Sequence, residues 1–180
     1  VIKRKNMFNI SILFRLISEN IIVKLIKNLI LTLNKKRNIM EKTFFDDPKD
    51  WPKDVRVTLD EAHEDERGFI QCLTNIPTRN VSYIFSKKGS VRSNHYHKTD
   101  WHYMYIISGK MDYYYREHGA NDEIKQVSLT KGDMVFTPPM EEHTSYFPDD
   151  THFLAISRNP RDQDAYEADV IRVKQLVDII

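Results

Sequence analysis

The sequence predicts an all-β domain, a sandwich or barrel of short strands, on three observations. Short runs of β-branched and aromatic residues recur from Val55 to Ile156, each closed by Gly, Pro or Asp turn residues. Several of these runs alternate in the manner of a half-buried strand, as Val55-Arg56-Val57-Thr58-Leu59 does. Four histidines, His95, His97, His102 and His143, fall on or beside such runs, where one interior could collect them.

Taken in order, Phe44 to Pro52 is an irregular lead-in fixed by aromatic anchors and stopped by two prolines. Val55 to Leu59 is the first strand, and Asp60 to Gly68 is a charged loop. Phe69 to Leu73 is a second strand, ended before Pro77, and Val81 to Phe85 is a third. Lys87-Lys88-Gly89 turns the chain into a strand carrying His95 and His97. Two residues apart on an extended strand, these histidines share a face. Lys98-Thr99-Asp100 is a polar turn, and His102 opens an aromatic and β-branched run that closes at Gly109. Lys110 to Arg116 follows, with Met111, Tyr113 and Tyr115 on one face. Further strands are expected at 124–129, 134–136, 143–147 and 152–156. The tail from Tyr166 to Val173 reads as a last strand or a short helix.

Composition bounds the rest. Hydrophobic residues at 41% and charged residues at 29% suit a globular protein of one domain's length. The single Cys72 excludes an internal disulfide framework and points to a reducing compartment, hence the cytoplasm. The net charge of +1 hides an asymmetry: residues 1–39 carry +8 and residues 40–180 carry −7. This divides the chain into a basic Ile/Lys/Asn-rich segment, 1–39, and a domain, 40–180. In the segment, Ile10, Leu13, Phe14, Ile17, Ile21, Leu25 and Leu29 lie near helical spacing. One reading is a basic amphipathic helix on a membrane surface. Arg15, Glu19, Lys24 and Lys27 interrupt the apolar runs, which argues against a spanning helix. A further reading is that the native protein starts at Met40, with residues 1–39 a mis-assigned extension. No zinc-finger spacing or recognition helix points to nucleic acid.

The histidine pattern resembles the cupin superfamily. The first cupin motif runs Gly, five residues, His-x-His, three or four residues, Glu, six residues, Gly. Gly89, His95, His97 and Gly109 fall in its register, with His102 in the place of the Glu. Gly132, Pro138 and His143 fit the second motif, where Met140 replaces a Gly and Phe147 an Asn. The resemblance spans roughly residues 55 to 173 and implies a double-stranded β-helix, or jelly roll. It implies His95, His97, His102 and His143 as ligands of a divalent transition metal: iron, manganese, nickel or zinc. Neutral imidazole suits such ions. A four-nitrogen set leaves the ion's charge to be balanced by a substrate oxygen or hydroxide.

Asp65-x-Arg67-Gly68 and Lys88-Gly89-x-x-Arg92-x-x-His95-x-His97 are also similar to cupins that epimerise or isomerise nucleotide-linked keto sugars. Those relatives need no metal. That resemblance implies His95 as the base, His97 as a second acid/base group and Arg92 near phosphate, with Arg67 also binding substrate. Ser93 stands where those relatives usually have Gly. Of the many strand tyrosines, most are core, and one or two, Tyr83 among them, are expected to stack on a sugar or base. His63, His118 and His152 lie outside the motifs and read as surface or structural. The leading expectation is thus an isomerase or epimerase of a nucleotide-activated keto sugar for surface polysaccharide, acting as a homodimer. The alternatives are a metal-dependent dioxygenase on a small carbonyl or thiol compound, and a non-enzymatic module that binds a small ligand.

Overall fold

Alternation along the strands dictates two facing layers, and the computed structural model, which describes residues 22–34, 48–120 and 123–178, shows them. The chain divides into two units, one ending at Asp50 and one running from Trp51 to Ile180. In the first, helix α1 (22–34) places Ile22, Leu25, Ile26, Leu29 and Leu33 along one side, with Lys24 and Lys27 on the other. Pro48–Asp50 is a single 3-10 turn. Phe44 and Phe45, and the apolar positions from Ile10 to Ile21, lie outside the described residues. Among the described residues, no helix is long and apolar enough to cross a membrane.

The second unit is all-β. Its strands are β1 (Arg56–Val57), β2 (His63–Asp65), β3 (Gly68–Ile70), β4 (Asn80–Ser86), β5 (Val91–His97) and β6 (His102–Ser108). There follow β7 (Lys110–Glu117), β8 (Lys125–Thr130), β9 (Met134–Thr137), β10 (Glu141–Tyr146) and β11 (Thr151–Ser157). Helix α2 (Gln163–Asp169) leads into β12 (Val170–Arg172), so the tail is both short helix and strand. One antiparallel sheet has the order β1-β9-β6-β11-β4, the other β12-β5-β10-β7-β8, and β2–β3 is a separate hairpin. This is the jelly-roll arrangement.

Met104 and Ile106 of β6, Met111 and Tyr113 of β7, Leu129, Val135, Phe147 and Phe153 form the buried core between the sheets. The opposite face of β6 is also apolar. Tyr103 packs on Phe136 and Trp101, and Trp51 covers Phe136, as a second aromatic layer. The β6–β7 turn depends on Gly109. Its φ is +85°, and a Cβ there would lie 2.3 Å from the Asp150 carbonyl oxygen.

Candidate functional site

The centre of the unit is assembled by β5, β6 and β10. His95 and His97 come from β5, His102 opens β6, and His143 lies opposite His95 across the β5–β10 pairing. The register shifts there, because Asn94 is an extra residue in β5. Ser93 and Asn94 both have left-handed backbone, with φ of 70° and 56°. Glycine is the residue that adopts φ > 0 at least cost, so Ser93 holds this backbone under strain. Asn94 is fixed by accepting a hydrogen bond from the Thr144 hydroxyl at 2.8 Å.

The four rings predicted from spacing meet. Ring centroids are 4.8 Å apart for His95 and His97, 4.7 Å for His95 and His143, and 5.4 Å for His102 with both His97 and His143. Their tautomers follow from their partners. Nδ1 of His95 donates to the Ser93 carbonyl and Nδ1 of His143 to the Glu141 carbonyl, each at 3.0 Å. Because a carbonyl only accepts, each of these rings keeps its lone pair on Nε2.

His97 has a partner that spacing did not reveal. Its Nδ1 donates to Asp169 Oδ2 at 3.0 Å, and both groups are buried. Helix α2 ends at Asp169, and β12 then runs antiparallel to β5 with Val170 opposite His97, which sets the carboxylate behind the imidazole. Asp169 also accepts from the Thr99 backbone N–H and hydroxyl and from the Asp100 N–H. Burial pushes its pKa up, but these hydrogen bonds outweigh burial and hold it below the ordinary carboxylate value. His97 Nε2 then faces the interior with no hydrogen-bond partner, and so does His102 Nδ1. A buried polar atom left unpaired costs about 1–3 kcal/mol, so each marks a place where a ligand atom would be stabilising.

All four imidazoles are neutral at neutral pH. Burial, reinforced by His97, holds His95 down to about 3, and burial with the nearby Arg161 holds His97 to about 4. His102 and His143 are held well below their ordinary value, chiefly by burial. Close by, burial raises Asp100 to about 6. Its Oδ1 accepts from the Asn159 N–H at 2.8 Å, and Arg161 lies 3.6 Å from Oδ2. His97, Asp100 and His102 each offer one ligand atom, and these three atoms lie within 4.8 Å of one another.

A cavity of about 160 Å³ opens onto this centre. His95, His102 and His143 line its floor, with Arg92, Arg161 and Tyr166 as further polar groups. Ile84, Met104, Phe147 and Phe153 form apolar wall. Arg161 is set by donating from Nε to the Ser157 hydroxyl at 3.1 Å and lies 5.2 Å above the Tyr166 ring. Arg92 Nε donates to the Ser86 hydroxyl at 2.7 Å. Burial raises the Tyr166 phenol, so it stays protonated.

The other residues proposed from sequence lie elsewhere. Arg67 is exposed on the β2–β3 hairpin and pairs with Asp65. Tyr83 is 63% exposed on the outer face of β4, where its hydroxyl hydrogen-bonds with His152 Nδ1. His118 pairs with the buried Glu142 at 2.7 Å, and His63 is exposed on β2. Asp169, Asp100, Arg161 and Tyr166 are the groups that sequence reasoning gave no role.

Residues 83–157 match the family model described as the cupin domain. No curated protein matches the sequence. Among solved structures, the fold is similar to QdtA, a sugar 3,4-ketoisomerase from Thermoanaerobacterium thermosaccharolyticum in complex with TDP. Identity there is 18%, over 63% of this chain and 84% of that one, with a TM-score of 0.53. It is similar too to a dTDP-4-dehydrorhamnose 3,5-epimerase from Sulfolobus tokodaii, at 16% identity over 67% of this chain and 78% of that one, TM-score 0.56. A 3,4-ketoisomerase from Helicobacter canadensis is 19% identical over 63% of this chain and 86% of that one, TM-score 0.53. At these identities the likeness establishes the fold.

Proposed function

We propose that this chain, whose residues 83–157 match the cupin-domain model, is an isomerase or epimerase of a nucleotide-activated keto sugar. The observation that carries the reading is a pocket that holds neutral imidazoles beside two guanidinium groups and a protonated phenol. The similarly folded 3,4-ketoisomerases and the 3,5-epimerase support the substrate class.

Hydrogens on the carbon next to a ketone are acidic because the resulting carbanion delocalises onto oxygen. A base and a means of balancing the enolate charge are therefore the main requirements. His95 serves as the base: its Nδ1 is tied to Ser93, and its Nε2 lone pair is free to take the proton. A bound diphosphate raises the basicity of this ring by adding negative charge nearby. Arg161 balances the enolate oxygen, and Arg92 contacts phosphate. Passing the neighbouring hydroxyl's proton to the enolate oxygen, and returning the abstracted proton to the former carbonyl carbon, moves the ketone by one carbon. Delivery from the opposite side inverts the centre, and Tyr166, whose ring lies 6.2 Å from that of His95, is the proton donor for that outcome. The enzyme acts in the cytoplasm as a homodimer, in a route to surface polysaccharide.

The test is deuterium exchange. The full chain is incubated in D2O with TDP-4-keto-6-deoxyglucose, the sugar bound in one QdtA structure, and with the corresponding UDP- and GDP-linked keto sugars. NMR follows exchange next to the ketone and formation of product. Exchange that falls by about 10²–10⁴-fold in His95→Ala supports the proposal. A folded protein that exchanges none of these sugars overturns it.

A further inference from the structure

We propose that the outward face of β4, β11 and β6 is the surface through which two copies of this chain associate. Each copy presents the row Tyr83, Leu154 and Tyr105 to the other, with Tyr83 beside a two-fold axis. The inference gives the homodimer of the proposed enzyme its contact surface, and it rests on that part of the reading alone.

Strand register assembles the face. Tyr83 lies opposite Leu154, and Leu154 opposite Tyr105, so three side chains stand in a row across three strands. Alternation adds Val81 and Phe85 on either side of Tyr83, and Ile107 beside Tyr105. Met104, Ile106 and Phe153 point into the core, so these six point away from it. Val81 is 59% exposed, Tyr83 63% and Phe85 41%, while Leu154, Tyr105 and Ile107 are half-buried. Farther along the same sheet the outward face is covered, with Tyr103 and Phe136 buried against Trp101 and Trp51. The open part thus continues a buried aromatic layer and is not a scatter of single side chains. A contiguous apolar patch of this kind marks an interaction surface.

The chemistry of the patch selects a second copy as its occupant. A two-fold contact brings residues near the axis against their own counterparts, so a charge there would face itself. None of the six positions carries one. The Tyr83 hydroxyl is already satisfied by His152 Nδ1 at 2.6 Å, and the His152 ring stacks on Phe85 with centroids 4.7 Å apart. Covering this face therefore strands no tyrosine hydroxyl. At these exposures the six residues offer about 400 Å² of apolar surface per copy. That is half of the roughly 800 Å² per partner in a stable interface, as suits an apolar core within a polar rim. Lys87 and Lys88, exposed just past the end of β4, belong to that rim. The contact also bears on the pocket. β4 is the last strand of its sheet. Its Ile84 lines the cavity, and its Ser86 holds Arg92. A second copy packed on the outward side braces that wall.

The experiment is sedimentation velocity on the full chain across a concentration series. Two chains per particle are expected for the wild type. Tyr83→Glu and Val81→Lys each bring like charges together and should raise the dimer dissociation constant at least about 100-fold. Mixing Tyr83→Glu with Tyr83→Lys should restore association, because opposite charges then meet at the axis. Ile70→Glu, on the β2–β3 hairpin where Ile70 is 70% exposed, should leave the dimer intact. Circular dichroism checks that each variant keeps its strands, and if the Tyr83 variants do not fold, Val81→Lys carries the comparison. A wild type that stays monomeric, as it would if a lipid surface or another protein covers this face, overturns the proposal. Folded variants that remain dimers overturn it too, as does dissociation by Ile70→Glu alone. A mixture that stays monomeric overturns the placement of Tyr83 at the axis. Association is read without substrate, so this result and the deuterium-exchange result succeed or fail independently.

Discussion

Asp169→Asn isolates what the buried carboxylate does. Asp169 accepts four hydrogen bonds: Oδ1 takes the Thr99 N–H at 2.8 Å and the Thr99 hydroxyl at 2.7 Å, and Oδ2 takes His97 Nδ1 at 3.0 Å and the Asp100 N–H at 3.2 Å. An asparagine that keeps its oxygen toward Thr99 presents an NH2 group to His97 and Asp100. The bond from His97 to a charged acceptor is lost, at about 1.5–3 kcal/mol, and the Asp100 N–H is left unpaired, at about 1–3 kcal/mol. The substitution should therefore destabilise the metal-free protein by about 3–5 kcal/mol. With a urea slope of about 2 kcal/mol per M, the unfolding midpoint falls by about 1.5–2.5 M. To accept from the new amide, His97 must move its proton to Nε2, which removes the inward lone pair. Nitrogen-15 NMR of histidine-labelled protein reads this tautomer directly. A midpoint that shifts by less than about 0.3 M, with His97 still protonated on Nδ1, would refute the assignment of Asp169 as the group that orients this ring.

Acidification should unfold the metal-free protein early. The four imidazoles stay neutral when folded but take a proton at about 6.5 when unfolded, so the unfolded state binds more protons and stability falls with pH below that value. Glu141, pushed up by burial to about 8, and Asp100, raised to about 6, act in the opposite sense, because the folded state holds their protons more tightly. The histidines outnumber them, leaving a loss on the order of 2 kcal/mol per pH unit near pH 5.5; urea midpoints that stay flat from pH 7.5 to 5.5 would contradict this. Gly109→Ala should cost about 2–5 kcal/mol, combining left-handed strain with a Cβ driven into the Asp150 carbonyl, and a change under about 1 kcal/mol in the same assay would rule out that contact. Arg161→Gln should lower kcat/KM on the keto sugar by about 10²-fold, whereas Arg67→Ala, on the exposed hairpin, should leave it within about twofold. Equal losses in the two variants would place the substrate elsewhere.

How much of this was legible in the chain depends on whether the determining contact is local. The β6 and β7 strands could be read because alternation places Met104 and Ile106, then Met111 and Tyr113, on one face within a few residues. The histidine pairs could be read for the same reason, since two residues along a strand fix a shared side and a short turn returns His102 toward it. Tyr83 shows where the rule fails. On β4 the outward residues are Val81, Tyr83 and Phe85, while the inward ones include Ser82 and Ser86 beside Ile84. The polarity of the strand is inverted, so hydrophobicity alone points its aromatic residues to the wrong face.

The carboxylates were hidden for a different reason. Asp169 reaches His97 across 72 residues, through a helix that must end at one residue for β12 to fall into register. No local pattern encodes that distance. Asp100 lies within the first motif, yet Lys98-Thr99-Asp100 has the composition of an exposed polar turn. Only the closure of Asn159 and Arg161 over it makes Asp100 a buried acid. The buried centre thus carries two carboxylates beside its imidazoles, Asp100 from the turn before β6 and Asp169 from the end of helix α2.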